Sequence, residues 1–155
     1  MLIRSATIED VPAVLVMLAK TCALHETWDA AKYGLRSHPE QYYEKWLTRL
    51  LHKERSVLLV AEDEEKLVAF LAATVEPEIS IYSLQEFAFI HDIWVEPEYR
   101  RKGIAPQIIK LAVERFQEMR IKQIRLDTVA ANESARQLFK SCGFRVSTIE
   151  MLMEI

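Results

Sequence analysis

A basic run directly before a glycine is the part of this sequence best suited to chemistry. Arg100, Arg101 and Lys102 precede Gly103, and a helical apolar pattern begins at Ile104. The first N–H groups of a helix have no partner within the helix, and the helix dipole adds partial positive charge there. A glycine lets the backbone turn tightly and approach a bound group closely. The segment therefore predicts a pyrophosphate site, and the plain alternative is an exposed basic turn.

Other phosphate-binding signatures are absent from the chain. There is no glycine-rich dinucleotide fingerprint and no Gly-Lys-Ser/Thr loop. The net charge is −3, so no overall basic field draws the protein to nucleic acid or to an anionic membrane. A nucleic-acid-binding role for Arg100–Lys102 and Arg120–Arg125 is further disfavoured because no aromatic side chains are interleaved with these charges. We expect neither nucleic acid nor a membrane as a partner.

The composition favours one globular domain spanning residues 1–155. Half of the 155 residues are apolar, which is enough for one core but too little for two. No apolar stretch is long enough to cross a bilayer, and the first residues lack the apolar run of a secretory signal. The two cysteines, Cys22 and Cys142, match no metal or redox spacing. We therefore expect a cytoplasmic protein that needs no metal.

The periodicity of apolar residues predicts alternating strands and helices around one mixed sheet. Strands are expected at residues 2–5, 56–62, 67–75, 87–95 and 123–128, with one or two more within 144–154. Helices are expected before and after residue 30, after Gly103, and after Asn132, which is a suitable N-cap. The predicted order is β-α-α-β-β-β-α-β-α-β, an α/β (mixed α+β) arrangement with helices on both faces of the sheet.

Three segments together resemble the GNAT N-acetyltransferase superfamily. They are Val95-x-Pro97-x-Tyr99-Arg100-x-x-Gly103-x-Ala105, Asn132-x-x-Ala135-x-x-Leu138-Phe139-x-x-x-Gly143-Phe144 and Ile3-Arg4-x-Ala6-Thr7-x-x-Asp10. Their order and separations match those of the family, and the resemblance covers almost the whole chain. It implies a central mixed, mostly antiparallel sheet of six to seven strands. It also implies an acetyl-CoA-dependent transfer of an acetyl group to a primary amine, by direct attack in a ternary complex.

The resemblance also assigns cofactor contacts. Backbone groups of Ile93 and Val95 are expected to hold the pantetheine arm of acetyl-CoA, and N–H groups near Val95 to polarise the thioester carbonyl. The N–H groups from Arg101 through Ile104 to Ala105 are expected to hold the pyrophosphate, with Arg100, Arg101 and Lys102 adding charge. Asn132 matches a position that contacts the cofactor arm, although it could equally act only as a helix cap.

The attacking amine must lose a proton, and the resemblance places the base near residue 91. Family members often carry glutamate at the position of His91, which is followed by Asp92, with Glu86 upstream. Histidine titrates near neutral pH and suits the task. Alternation along a strand would put His91 and Asp92 on opposite faces unless a bulge intervenes. The alternatives are a packed strand histidine and an aspartate that only orients a neighbour.

Phe139 departs from the family pattern, which commonly has a tyrosine there to protonate the leaving thiolate. Phenylalanine can pack against the pantetheine but cannot donate a proton. We expect coenzyme A to be a good enough leaving group without this acid. The substitution also leaves open an alternative function, a non-catalytic acyl-CoA-binding sensor or interaction module with the same fold.

The acceptor site is implied to form from the first two helices and the loop before the cofactor strand. These segments carry acidic and aromatic residues, which suit a small cationic amine; an ordinary charged surface is the alternative. The residues are Glu26, Trp28, Asp29, Tyr33, Glu76, Glu78, Tyr82 and Glu86. A homodimer is a possible assembly.

Overall fold

Five strands form one mixed sheet in the computed structural model, which describes residues 1–155. The strands are β1 (Leu2–Ser5), β2 (Ser56–Asp63), β3 (Lys66–Pro77), β4 (Glu86–Val95) and β5 (Ile124–Leu126). They lie in the order β1-β2-β3-β4-β5, and only the β4–β5 pair is parallel. The expectation of a mixed, mostly antiparallel sheet is confirmed.

Five α-helices accompany the sheet. They are α1 (Val11–Trp28), α2 (Ala30–Tyr33), α3 (Pro39–His52), α4 (Ile104–Glu118) and α5 (Glu133–Ser141). Short 3-10 turns at Ile8–Asp10 and Pro97–Tyr99 lead towards α1 and α4. None of these helices combines the length and the apolar character needed to cross a membrane.

Two apolar clusters lie on opposite faces of the sheet, so the expectation of helices on both faces is confirmed. Leu71 and Ile90 pack with α4 and α5 through Ile108 and Phe139, among others. Phe70, Ala72 and Trp94 pack with α1 and α3 through Val14 and Leu47. Burial on both faces explains the nearly uninterrupted apolar sequence of β3.

The predicted count of six to seven strands is wrong, and so is the predicted order of elements. Residues 144–154 form no strand, because no backbone group from residue 145 onward bonds to another part of the chain. An apolar pattern alone does not make a strand, which also needs a neighbouring strand with which to bond. The short helix α2 is an addition, and β5 is shorter than the predicted 123–128.

Candidate active site

The second half of β4 loses its neighbour on one side. Parallel pairing with β5 runs from Ala88 to Ile90 and stops there, whereas pairing with β3 continues to Val95. The N–H of Glu96 donates to the carbonyl oxygen of Val68 at 2.8 Å, so this residue's backbone points towards β3. Since backbone groups of successive strand residues point to opposite sides, those of Ile93 and Val95 point away from β3. They lie at an open edge of the sheet.

A β-bulge occurs at the point where β5 ends. Ala72 is opposite Asp92 and Ala73 is opposite Ile90, so His91 is an extra residue on β4. Such a bulge interrupts the alternation of side chains. His91 packs against Trp46 of α3, with ring centroids 5.4 Å apart, and Asp92 shares the register position of Ala72 on that same side of the sheet. The two side chains therefore share the α1–α3 face rather than lying on opposite faces.

His91 is held by a hydrogen-bonded chain of polar groups. Its Nε2 lies 2.6 Å from the Thr74 hydroxyl, which donates to the carboxylate of Glu76. A hydroxyl has one proton, so Thr74 must accept from His91, and the proton of the neutral imidazole is on Nε2. The free basic nitrogen is then Nδ1. Burial lowers the pKa of His91, and the charge of Glu76 partly offsets this.

Asp92 lies in a more enclosed position and makes no hydrogen bond or ion pair within the chain. Burial raises the pKa of Asp92 to about 6. The Cys22 thiol and the Tyr43 hydroxyl are 3.5 Å apart on the same face. Burial raises the pKa of both groups, and the charge of Asp92 raises them further. A carboxyl that titrates near neutral pH without a partner is able to exchange protons with a bound molecule.

The loop from Arg100 to Ala105 presents a row of free donors at the start of α4. None of the backbone N–H groups from Arg101 to Ala105 donates to an acceptor within the protein. Arg101 and Gly103 have left-handed backbones, with φ of 60° and 80°, which turn the chain sharply before the helix. Successive N–H groups in such a turn form a concave site for an anion. These residues fit a pyrophosphate.

The basic side chains of this loop differ in how freely they could contribute positive charge to a bound anion. Arg100 Nε donates to the carbonyl oxygen of Val95 at 2.8 Å, and its guanidinium lies 4.7 Å from the centre of the Trp94 ring. Lys102 lies over Tyr99. Arg101 makes no ion pair. Arg100 therefore bridges the loop and the open edge of β4, which fixes their relative position.

Two expected cofactor contacts on α5 have structural roles of their own. Asn132 caps the helix, its side-chain oxygen accepting from the N–H of Ala135 at 3.2 Å, so the cap prediction is confirmed. Phe139 is buried, with 7% of its surface exposed, and packs edge-on against Phe144. Whether either contacts a cofactor stays a prediction.

Most of the acidic residues expected near the acceptor are already engaged. Glu86 forms two 2.7 Å bonds with Arg55, and these lower its pKa, which makes it a weaker base. Glu78 pairs with Arg125, and Asp29 caps α2. The aromatic residues Trp28 and Tyr33 flank His25, and Glu26 and Tyr82 are exposed. Of the expected acidic residues, only Glu76 contacts the Thr74–His91 pair.

Sequence reasoning missed Thr74, and it named a bulge near His91 only as an exception to strand alternation. Thr74 is buried, and it is the only hydroxyl in the apolar run from Leu67 to Val75, which is the signal that could have marked it. The bulge has no comparable signal, because β-bulges depend on the register between strands rather than on residue type.

Known proteins share both the sequence pattern and this fold. The model of the acetyltransferase (GNAT) family matches residues 22–144. An uncharacterized N-acetyltransferase of Methanocaldococcus jannaschii is 28% identical over 142 residues, which cover 92% of this chain and 59% of that protein. The chain thus corresponds to about three fifths of this relative.

Two solved structures have the same fold. The structure of a mutant protein from Bacillus halodurans has a TM-score of 0.89 at 23% identity, covering 100% of this chain and 99% of that one. The structure of an aminoglycoside N-acetyltransferase in complex with CoA has a TM-score of 0.73 at 15% identity, covering 99% of this chain and 93% of that one.

Proposed function

The chain belongs to the acetyltransferase (GNAT) family, and we propose that it transfers an acetyl group from acetyl-CoA to a primary amine, by direct attack in a ternary complex. The observation that carries the proposal is the row of free N–H donors from Arg101 to Ala105 beside the open edge of β4. We further propose that residues 1–155 act as one N-acetyltransferase domain, since both apolar clusters pack on one sheet.

Two backbone surfaces would hold the cofactor. The N–H groups from Arg101 to Ala105 would bind the pyrophosphate, and the backbone groups of Ile93 together with the N–H of Val95 would bind the pantetheine arm. Acetyl-CoA, when bound, supplies an activated acetyl thioester. An N–H group at the open edge would stabilise negative charge on the carbonyl oxygen, as fixed backbone donors do in other acyl transfers. Arg100 is a positioning residue in this arrangement, because it ties Val95 to the loop.

His91 would take the proton from the attacking amine. Its lowered pKa keeps it neutral at pH 7, and Thr74 holds the proton on Nε2, so Nδ1 is the acceptor. The side chain is 30% exposed and therefore accessible to an amine. Asp92 is the second candidate, supported by its unpaired carboxyl on the same face. Glu86 is a poorer candidate, because Arg55 holds its carboxylate.

The acceptor would be a small cationic amine. Glu76, close to His91, and the exposed Glu26 carry negative charge with no arginine or lysine partner. The protein of similar fold that was solved with CoA is named an aminoglycoside N-acetyltransferase, and this supports the choice of an amine as the acceptor. The engaged charges of Glu78 and Glu86 reduce the acidic surface, so we expect weaker attraction for the amine than the sequence suggests.

A non-catalytic acyl-CoA-binding module is the second candidate function. Phe139 favours it, because a buried phenylalanine provides no acid for the leaving thiolate. General acid catalysis typically contributes about a hundredfold to ten-thousandfold, and a good leaving group needs less of it. We therefore propose that the chain is an active enzyme that works without this general acid.

Release of free thiol from acetyl-CoA, measured across a panel of primary amines, tests the proposal. We expect amine-dependent thiol release, strongest with small polycationic amines, in the wild-type protein and in Phe139→Tyr. No release from either protein, with tight binding of acetyl-CoA to both, would contradict the enzyme and support the sensor. Release from Phe139→Tyr alone would show that phenylalanine at position 139 inactivates the enzyme.

A further inference from the structure

Three polar side chains connect the end of β3 to the bulge of β4. Thr74 and Glu76 lie two residues apart on β3, so their side chains point to the same face of the sheet. That is the α1–α3 face, where the bulge also places His91. The residues of β3 from Leu67 to Ala73 are all apolar, and Thr74 is itself buried, with 4% of its surface exposed. The polar pair therefore lies where β3 leaves the apolar core and reaches the candidate base.

The hydroxyl of Thr74 is the link between Glu76 and His91. It lies 2.6 Å from His91 Nε2 and donates to the Glu76 carboxylate. Nε2 and the nearest carboxylate oxygen are 4.0 Å apart, which is too far for a direct hydrogen bond. A carboxylate only accepts hydrogen bonds, so the single hydroxyl proton must point towards Glu76. The carboxylate thereby determines that Thr74 presents a lone pair, and not its proton, to His91.

Two aromatic rings hold the His91 imidazole in place. Trp46 of α3 packs against it with ring centroids 5.4 Å apart, and Phe89 of β4 packs with ring centroids 5.1 Å apart. Both contacts are edge-to-face, which is a favoured arrangement of aromatic rings. Packing from two sides restricts rotation of the ring, so Nε2 stays beside Thr74. With the ring held, the position of its proton alone decides whether Nδ1 is able to accept one from an amine.

We propose that Glu76 is a positioning residue for the general base and that it acts through Thr74. The inference rests on the proposed function, in which Nδ1 of His91 accepts the amine proton. Because the carboxylate takes the hydroxyl proton, Thr74 accepts from the Nε2–H group and Nδ1 keeps its lone pair. Glu76 touches none of the reacting atoms, and no proton moves beyond His91.

The charge of Glu76 gives it a second effect on the same base. When Nδ1 takes up the amine proton, the imidazole becomes positively charged in a place where burial lowers its pKa. The nearby carboxylate favours this charged form and so opposes the effect of burial. In the Ser-His-Asp triad a carboxylate likewise selects the tautomer of a histidine and stabilises its charged form, there by direct contact. Here a threonine hydroxyl lies between the two groups.

The ¹⁵N NMR shifts of the His91 ring, recorded without substrate above the pH at which the ring titrates, test the tautomer. The wild type should carry its proton on Nε2. Glu76→Gln offers Thr74 an amide that is able to donate as well as accept, so both tautomers should be populated. Thr74→Ser keeps the hydroxyl and should keep the wild-type tautomer. A wild type with the proton on Nδ1, or unchanged His91 shifts in Glu76→Gln, would overturn the proposal.

The kinetics of acetyl transfer separate positioning of the base from attraction of a cationic acceptor. Glu76→Gln should lower kcat by about tenfold, which is less than the loss of the base itself. The acid limb of its pH profile should move to lower pH, because the lost charge raised the pKa of His91, whereas Lys53, which lowers it, and the adjacent Asp92 remain. The control Glu44→Gln removes an exposed charge from α3 and should match the wild type. A rise in KM with unchanged kcat would overturn the proposal, because Glu76 would then only attract the acceptor.

Failure of this inference and failure of the proposed function give different results. If the wild type acetylates no amine, the proposed function is wrong, and Glu76 has no base to position. If transfer occurs and is lost in His91→Ala, but Glu76→Gln keeps the wild-type kcat, the inference alone is overturned.

Discussion

The two halves of β4 contrast sharply although they belong to one strand. Glu86–Ile90 bonds to β3, and from Ala88 onward also to β5, whereas His91–Val95 bonds to β3 alone. The first half is ordinary sheet. The second half combines a bulge, an open backbone edge and two titratable side chains on one face. The difference shows what distinguishes the candidate site from ordinary sheet. Pairing with β5 stops after Ile90, and one extra residue, His91, interrupts the alternation of side chains.

The acidic residues of the two halves repeat the contrast. Glu86 is partly exposed and paired with Arg55, which lowers its pKa. Asp92 has no partner, and burial raises its pKa to about 6. The ion pair stabilises the charged carboxylate of Glu86. Burial destabilises the charged form of Asp92, so this carboxyl is able to change protonation near neutral pH.

The largest effect is expected from His91→Ala. Loss of a general base typically costs about a hundredfold to ten-thousandfold in rate. We expect such a loss in kcat/KM near neutral pH and recovery in alkaline solution, where the amine loses its proton unaided. Thr74→Val should lose less and should change the tautomer of His91, visible in its ¹⁵N NMR shifts. The control is His52→Ala, at an exposed histidine on α3. If His91→Ala kept the pH profile of the wild-type protein, the general base would be Asp92 instead of His91.

The second largest effect is expected from Gly103→Glu, measured by calorimetry with coenzyme A. A carboxylate next to the pyrophosphate should weaken affinity about a hundredfold, since close like charges near a protein surface repel by a few kcal/mol. Gly143→Glu is the matched control, because Gly143 also has a left-handed backbone, with φ of 94°, but lies after α5. Unchanged affinity in a folded Gly103→Glu protein would contradict the assignment of the loop.

Asp92→Asn should lower activity and raise stability. The pKa of Asp92 rises from an ordinary 3.8 to about 6, so the folded state binds its proton more tightly and loses stability as pH rises through this range. Asparagine carries no such cost. Two pKa units correspond to at most about 3 kcal/mol in the free energy of unfolding at pH 7. Denaturant titrations should show this gain at pH 7 and little of it below pH 4. An equal gain in stability at both pH values would contradict the raised pKa of Asp92.

The smallest effect is expected from Glu86→Gln, in the structural half of the strand. Because the carboxylate is partly exposed and committed to Arg55, we expect kcat/KM within about twofold of wild type, as surface ion pairs contribute little. The pH profile should also be unchanged. A shifted acid limb in Glu86→Gln, but not in Arg55→Gln, would identify Glu86 as a base and would remove the contrast between the two halves.

The sequence predicted well where residue type decides the structure. Gly103 and the apolar start of α4 predicted the sharp turn before that helix, and Asn132 predicted the cap of α5. Anion binding by this turn stays a prediction. The sequence predicted poorly where contacts between residues far apart in the chain determine the structure. The register of β3 against β4 creates the bulge at His91, and no local pattern shows it. Pairing partners likewise decided that Glu86 is held by Arg55 and that residues 144–154 form no strand.

Hydrogen exchange of backbone amides, with and without coenzyme A, tests the central claim most directly. The backbone N–H groups of Ile93, Val95 and Arg101–Ala105 donate to no strand or helix of the protein. They should therefore exchange quickly in the free protein and become protected when coenzyme A binds. The amide of Ala88, which donates to Gln123 at 2.9 Å in the paired half of the strand, should not change. Saturating binding of coenzyme A that leaves the Arg101–Ala105 amides unprotected would contradict the account.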